Sequence, residues 1–216
     1  MKIVAILIIG AAAALGLSSC EHSIQGIHPP APGSYFRLKG WWTSADGPPI
    51  GPHYSTDSVI ERGDTFEGKN NVLVYQIIGP RSTSQPRISY EPNGDISWYE
   101  GPRQGPDQPG GWERFPLSSR DTVIFLKGDN SFGDLVVDTN SFLEAKDTTI
   151  EGHFWHAIKI RQIVSLAGHA FNDEVLWFDA ETGWYLRMDM RPRHPSHSGL
   201  PSNGEEVHVY DCKIEP

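Results

Sequence analysis

Apolar residues in this chain recur mostly at every second position, in short runs ended by glycine and proline. That spacing predicts strands, because alternate side chains of an extended backbone share a face. Residues 71–78 (NVLVYQII) are β-branched and apolar and stop at Pro80. Residues 87–90 (RISY) and 95–99 (DISWY) flank Glu91-Pro92-Asn93-Gly94, where Asn-Gly marks a hairpin. Residues 112–115, 121–127 and 134–138 are further short strands, and 148–166 forms two strands or one long bent one. Residues 174–179 (EVLWFD) and 183–190 (GWYLRMDM) make a second hairpin, and 205–214 is a last strand. Residues 35–42 (YFRLKGWW) form a first strand or a short docking segment. Residues 43–57, 100–111 and 191–204 are rich in Gly, Pro and polar residues and read as loops. Helical periodicity is nearly absent; only residues 140–147 (NSFLEAKD) have room for two helical turns, capped by Asn140 or Ser141. Roughly eight to ten strands joined by turns predict an all-β, mainly antiparallel fold, a curved half-barrel or a β-sandwich with at most one or two short helices.

The N-terminus follows a different pattern. Met1-Lys2 precedes an apolar run from Ile3 to Leu17 that is interrupted only by glycine. Such a run is too short to cross a hydrocarbon core of about 30 Å comfortably and matches the apolar region of a signal peptide. It ends in Leu17-Ser18-Ser19-Cys20, which resembles the lipobox of bacterial lipoproteins. The resemblance implies that the Cys20 thiol receives a diacylglyceryl group and that cleavage before Cys20 frees an amine for further acylation. Two or three acyl chains anchor a protein firmly, at about 0.8 kcal/mol per buried CH₂. In such proteins the residue after the cysteine influences sorting. Glu21 is not a strong inner-membrane signal, so the periplasmic side of the outer membrane is expected. The expected organisation is a signal peptide at 1–19, a lipidated tether at 20–34, and one β-rich domain at 35–216. Proline at 29, 30 and 32 favours an extended tether.

A second resemblance covers residues 148–190. Gly152, Phe154, Ala157, Lys159 and Ile160 fit a Gly-aromatic-x-Ala-x-Lys-Ile strand. Trp177, Phe178, Gly183 and Arg187 fit the hairpin that follows it. The pattern is similar to one in uncharacterised periplasmic β proteins, which look like the curved, half-open barrels that carry or receive lipoproteins. The proline usual in that hairpin is missing, with Ala180 near its place. The resemblance implies a fold, and a fold does not imply an activity.

Charge narrows the partners. The formal net charge is -9, and loss of Lys2 with the signal makes the mature chain more negative. Such a chain repels phosphate backbones, so no nucleic acid is expected. It gains nothing electrostatically from anionic lipid, so membrane attachment rests on Cys20. The other cysteine, Cys212, then has no partner within the chain and reads as a small core residue of the last strand.

The candidate chemistry is sparse. His153 and His156 are three apart on a strand and so face opposite ways. His194 and His197 share a loop but lack a third ligand at fixed spacing. Asp179 with Glu181, and Glu205 with Glu206, read as solvated turn and edge charges. There is no Gly-x-Ser-x-Gly nucleophile motif and no phosphate-loop spacing. No catalytic residue, metal ligand or cofactor is expected. The aromatics are the remaining lead, with 7 Trp in the chain. Trp98, Trp155, Trp177 and Trp184 are the candidate ligand-binding residues, set against plain core packing. The leading expectation is a non-enzymatic envelope lipoprotein that binds a protein, lipid or glycan on an aromatic β surface. An envelope hydrolase, a lipid or lipoprotein carrier, and an assembly accessory are the alternatives.

Overall fold

The computed structural model describes residues 27–44, 47–79, 83–100, 111–118, 121–129, 135–192 and 204–215. The segment expected as a signal peptide, Cys20, most of the stretch expected as a loop at 100–111, His194 and His197 lie outside them. The chain forms β1 (Tyr35–Ser44), β2 (Gly47–Phe66), β3 (Lys69–Ile78), β4 (Thr83–Ser84), β5 (Arg87–Tyr90), β6 (Ile96–Glu100) and β7 (Gly111–Phe115). It continues with β8 (Thr122–Asp129), β9 (Leu135–Ile150), β10 (His153–Leu166), β11 (His169–Asp179), β12 (Tyr185–Pro192) and β13 (Gly204–Lys213). No described residue is helical.

All thirteen strands belong to one sheet, and every pairing is antiparallel. The order β7-β6-β5-β3-β2-β1-β13-β12-β11-β10-β9-β8 shows two meanders joined back to back. The join is β1 on β13, from Tyr35 beside Lys213 to Thr43 beside Gly204. The sheet therefore curls into a nearly closed barrel, and its one seam lies between β7 and β8.

Side chains span that seam. Asn140 on β9 donates its Nδ2 hydrogens to Glu113 Oε1 and to the Arg114 carbonyl on β7, both at 3.0 Å. Gln162 on β10 donates to the same Glu113 oxygen. The Phe125 ring of β8 packs on Gly111, where an added Cβ would come within 3.0 Å of it. Glu113, Asn140 and Gln162 are buried, so these hydrogen bonds form in a low-dielectric interior. Most of the remaining interior is apolar and aromatic. Phe36, Leu73, Tyr75, Phe115, Ile158, Ile160, Phe178, Trp184 and Leu186 form one core cluster.

Three long hairpins turn on two residues each. Glu67-Gly68, Glu151-Gly152 and Ala167-Gly168 all have positive φ at both positions. That is the signature of a type I′ turn, whose twist matches that of the flanking strands. The Asn93-Gly94 hairpin is wider, because Tyr90 pairs with Ile96 and leaves five residues outside the ladder.

The structure corrects several local expectations. Residues 140–147 are strand, not helix. They run through the middle of β9, paired with β10 from Gln162 to His156. Residues 148–166 resolve into the end of β9, a turn and β10. Residues 47–57 are the start of β2, not loop. Up to Ser55 this segment pairs only with β1 among the described residues, and such an edge tolerates the prolines at 48, 49 and 52.

The segment expected as a tether is docked over its second half. His28 N donates to Glu181 O at 2.7 Å, Ala31 N to Glu215 O at 3.2 Å, and Gly33 N to Val59 O at 3.0 Å. Ile27 packs on the core, and Ser34 is fully buried.

Replacing Asn140 with Ala removes both donations across the seam. Glu113 Oε1 keeps the Gln162 donation, while the Arg114 carbonyl loses its donor at a cost of about 1–3 kcal/mol. The expected result is a loss of that order in urea denaturation, with faster amide exchange in β7 and β8 and unchanged exchange in β1 and β13. Uniform acceleration across the sheet would contradict a local role for Asn140.

Candidate functional site

A cavity of about 220 Å³ lies against the inner ends of β2, β3, β5, β6 and β12. Its walls are Asp57, Tyr75, Ile77, Ser84, Pro86, Ile88, Trp98, Trp184 and Tyr185. At about 30 Å³ per water, the space matches a small organic molecule rather than a single ordered water. Alternation places these residues inward. Asp57 and Val59 share one face of β2, while Tyr75 and Ile77 share one face of β3. Leu73, Ile88 and Trp98 lie in register across β3, β5 and β6.

Trp184 and Tyr185 reach the cavity because of the turn before them. Asp179 accepts hydrogen bonds from Thr182 Oγ1 at 2.6 Å, Thr182 N at 3.1 Å and Glu181 N at 3.4 Å. Thr182 Oγ1 in turn accepts from Trp184 N at 3.3 Å, and Asp179 N donates to Trp184 O at 2.7 Å. Gly183 has φ of 66°, and an added Cβ would meet Ile27, Tyr90 and Ile96 within 3.2 Å. Asp179 is buried, not solvated as the sequence implied, and burial raises its pKa although the turn's donors partly oppose this. Trp184 stacks on Phe36 at 4.2 Å and 10°, and meets the edge of Tyr75 at 4.4 Å.

The cavity's polar feature is Asp57. It is 9% exposed, and its Oδ1 has no hydrogen-bond partner in the protein. Burial pushes its pKa up to about 7. A carboxylate without a counter-charge is costly in an apolar wall, and protonation relieves that cost. Two other buried acids show the contrast. Glu113 is engaged by two amides at the seam. Burial alone would raise the pKa of Asp95, but Ser118 N at 3.0 Å, Arg114, Ser118 Oγ at 2.8 Å and Asn93 at 2.9 Å hold it below the usual carboxylate range. The indole N–H groups of Trp98 and Trp184 also lack protein partners, although both rings line the cavity.

The four tryptophans singled out in the sequence part company. Trp98 and Trp184 share the cavity. Trp155 is buried in the core away from it. Trp177 is half-buried between Lys159 Nζ at 4.9 Å and the Arg187 guanidinium at 5.0 Å from its ring centroid. Those cations are held by Glu144 at 2.7 Å and by Asp189 and Glu206 at 3.0 Å, so Trp177 is covered by a charged lattice. Cys212 is a half-buried free thiol packed on the core, and burial raises its pKa. His156 pairs with Asp147 at 2.7 Å, while His153 is exposed. Among the described residues no group of three or more His, Cys, Asp or Glu is placed to hold a metal ion. Asp57, Tyr75 and Tyr185 were not singled out in the sequence. Asp57 lies in a stretch that reads as loop, and no motif marks it.

Asp57 gives the stability a pH dependence of known sign. The folded chain holds this proton up to about pH 7, whereas an unfolded Asp holds it only to 3.8. Protons therefore favour the native state, and Asp57's contribution falls as pH rises from about 4 to about 7, then levels off. The ceiling is roughly 4 kcal/mol, at about 1.4 kcal/mol per pH unit. Replacing Asp57 with Asn should flatten this slope in urea midpoints measured between pH 4.5 and 8.5. Parallel pH profiles for the two proteins would show that Asp57 is not the buried acid described here.

No protein-family model matches the chain, and no curated protein matches it. Among solved structures it is similar to a Bacteroides fragilis protein assigned as exported and of YmcC-like fold, with 10% identity and a TM-score of 0.44 over 87% of this chain and 99% of that one.

Proposed function

We propose that this chain is an exported, membrane-anchored binding protein whose barrel takes a small apolar or amphiphilic ligand into the Asp57–Trp98–Trp184 cavity. The observation that carries the reading is the cavity itself: aliphatic and aromatic walls converge on one buried carboxyl whose Oδ1 has no partner in the protein. Ligand sites are concave and mostly apolar, with a few placed polar groups and a perturbed titratable residue. Binding is favoured over hydrolysis by the lining. Among the described lining residues Ser84 is the one serine, and no histidine, cysteine or lysine accompanies it to activate a nucleophile.

The anchor is supported by the sequence. Leu17-Ser18-Ser19-Cys20 places a thiol where a lipoprotein signal would end. Ile27 is docked on the core, and six residues, or seven Cα-to-Cα steps, separate it from Cys20. At about 3.5 Å per residue, the attachment point lies within about 25 Å of the barrel. The protein would work close to the bilayer, on the periplasmic side of the outer membrane.

Two measurements test this. Intact mass of the natural protein should show a chain starting at Cys20 with added acyl groups, and Cys20→Ala should leave precursor or soluble protein. Correctly processed Cys20→Ala protein that stays on the membrane would contradict the anchor. For the cavity, probes with a six-carbon tail should bind saturably and shift tryptophan emission. Ile77→Phe, which fills the space, should weaken binding at least tenfold without lowering the thermal midpoint. Absence of saturable binding by any such probe would defeat the binding reading.

A further inference from the structure

The geometry points to a cationic ligand: the cavity is built for an apolar tail carrying a monovalent ammonium head, with the head on Asp57 among Tyr75, Trp98, Trp184 and Tyr185. This rests on the binding reading above and names the chemical class of ligand for that site.

Aromatic side chains share the cavity with the carboxyl. Four of the nine lining residues are tyrosine or tryptophan. Aromatic faces attract cations, more strongly once the cation is desolvated, and cages of this kind recognise ammonium groups. A carboxylate beside such rings supplies the counter-charge. Ile77, Pro86 and Ile88 complete the wall and accept hydrocarbon.

The electrostatic surroundings agree. The titratable groups facing Asp57 are Tyr75 on β3 and Tyr185 on β12, and burial keeps both neutral well above the usual tyrosine range. Beyond them, Glu174, Glu205 and Asp189 act on Tyr185, while Asp179 and Arg62 act on Tyr90, the hydroxyl partner of Tyr75 at 3.0 Å. Acids dominate this outer set, and Arg62 is its single cation. The formal net charge of -9 adds a field that draws cations toward the protein. An anionic head would face the same field with the opposite sign.

Binding then exchanges one proton for one cation. In the free protein near neutral pH, Asp57 is held partly protonated by its apolar walls. An arriving ammonium favours the carboxylate, and the proton leaves to buffer. No bond is made or broken in the ligand.

Hexylammonium, 1-hexanol and hexanoate share a tail length and separate the outcomes. At pH 8.5 hexylammonium should bind at least tenfold more tightly than either of the others. At pH 5.5 its affinity should fall about 30-fold, the factor set by ionisation of a group with pKa near 7. Calorimetry in two buffers near pH 6 should register proton release. Asp57→Asn should remove the preference and the pH dependence, and it should raise the thermal midpoint at pH 8.5, where the native carboxyl is ionised in an apolar wall. Equal or tighter binding of 1-hexanol or hexanoate at pH 8.5 would overturn the ammonium assignment and leave the binding reading standing. Binding of none of the three would overturn both.

Discussion

The pairing of the first strand with the last is the constraint from which the rest of the fold follows. Without β1 on β13 there would be two meanders, each with an apolar face open to water. With it, they form one sheet that has an inside, and the aromatic residues of both halves meet there. Trp184 belongs to the C-terminal meander and stacks on Phe36, while Tyr75 from the N-terminal meander meets its edge. The cavity draws its walls from both meanders for the same reason. The sheet remains open at β7 and β8, where the backbone ladder gives way to amide side chains from β9 and β10. An open edge invites pairing with another chain. Here one carbonyl of the β7 edge, that of Arg114, is taken by Asn140.

Much of this was legible in the sequence, because period-2 alternation survives wherever the inward residue is apolar. The hairpins around residues 91–95 and 180–184, and the final strand, follow that rule. Legibility failed where polar residues face inward. Asp57, Glu113, Asn140 and Gln162 occupy interior positions. A pattern argument sends such residues to solvent, which is why 140–147 reads as a short helix, whereas glycine, proline and polar residues together make 43–57 read as loop. Turn chemistry was hidden as well. Glu151-Gly152 and Ala167-Gly168 make the same turn as Asn-Gly, but their first residues do not favour positive φ. Long-range pairing holds those turns in place, and local sequence does not report it.

The candidate site was half visible. Trp98 and Trp184 stand out as tryptophans on predicted strands, and both line the cavity. Asp57 does not stand out, since a single acid among Ser55, Thr56 and Ser58 carries no spacing and no motif. Its significance comes from burial, which only the closed sheet creates. The same closure puts Trp177 between Lys159 and Arg187, where it serves the outer charge lattice rather than a binding face.

Three of the barrel's buried acids, Asp95, Glu113 and Asp57, differ in how they are supplied with donors. Asp95 is met by an arginine, a hydroxyl, an amide and a backbone N–H, and its hydrogen bonds hold a hairpin to β7. Glu113 collects two amides and ties the seam. Each is charge or polarity turned to structural use, and each is supplied with donors. The Oδ1 of Asp57 is supplied with none, and the fold would be more stable near neutral pH with an amide or an aliphatic residue in its place. A fold able to equip two acids with partners has left the third facing a cavity. What sets Asp57 apart is its place: its unpartnered oxygen lies in the wall of a cavity, as the proposed ligand site requires. On the proposed reading Asp57, rather than the more conspicuous tryptophans, is the residue that would meet the ligand's head group.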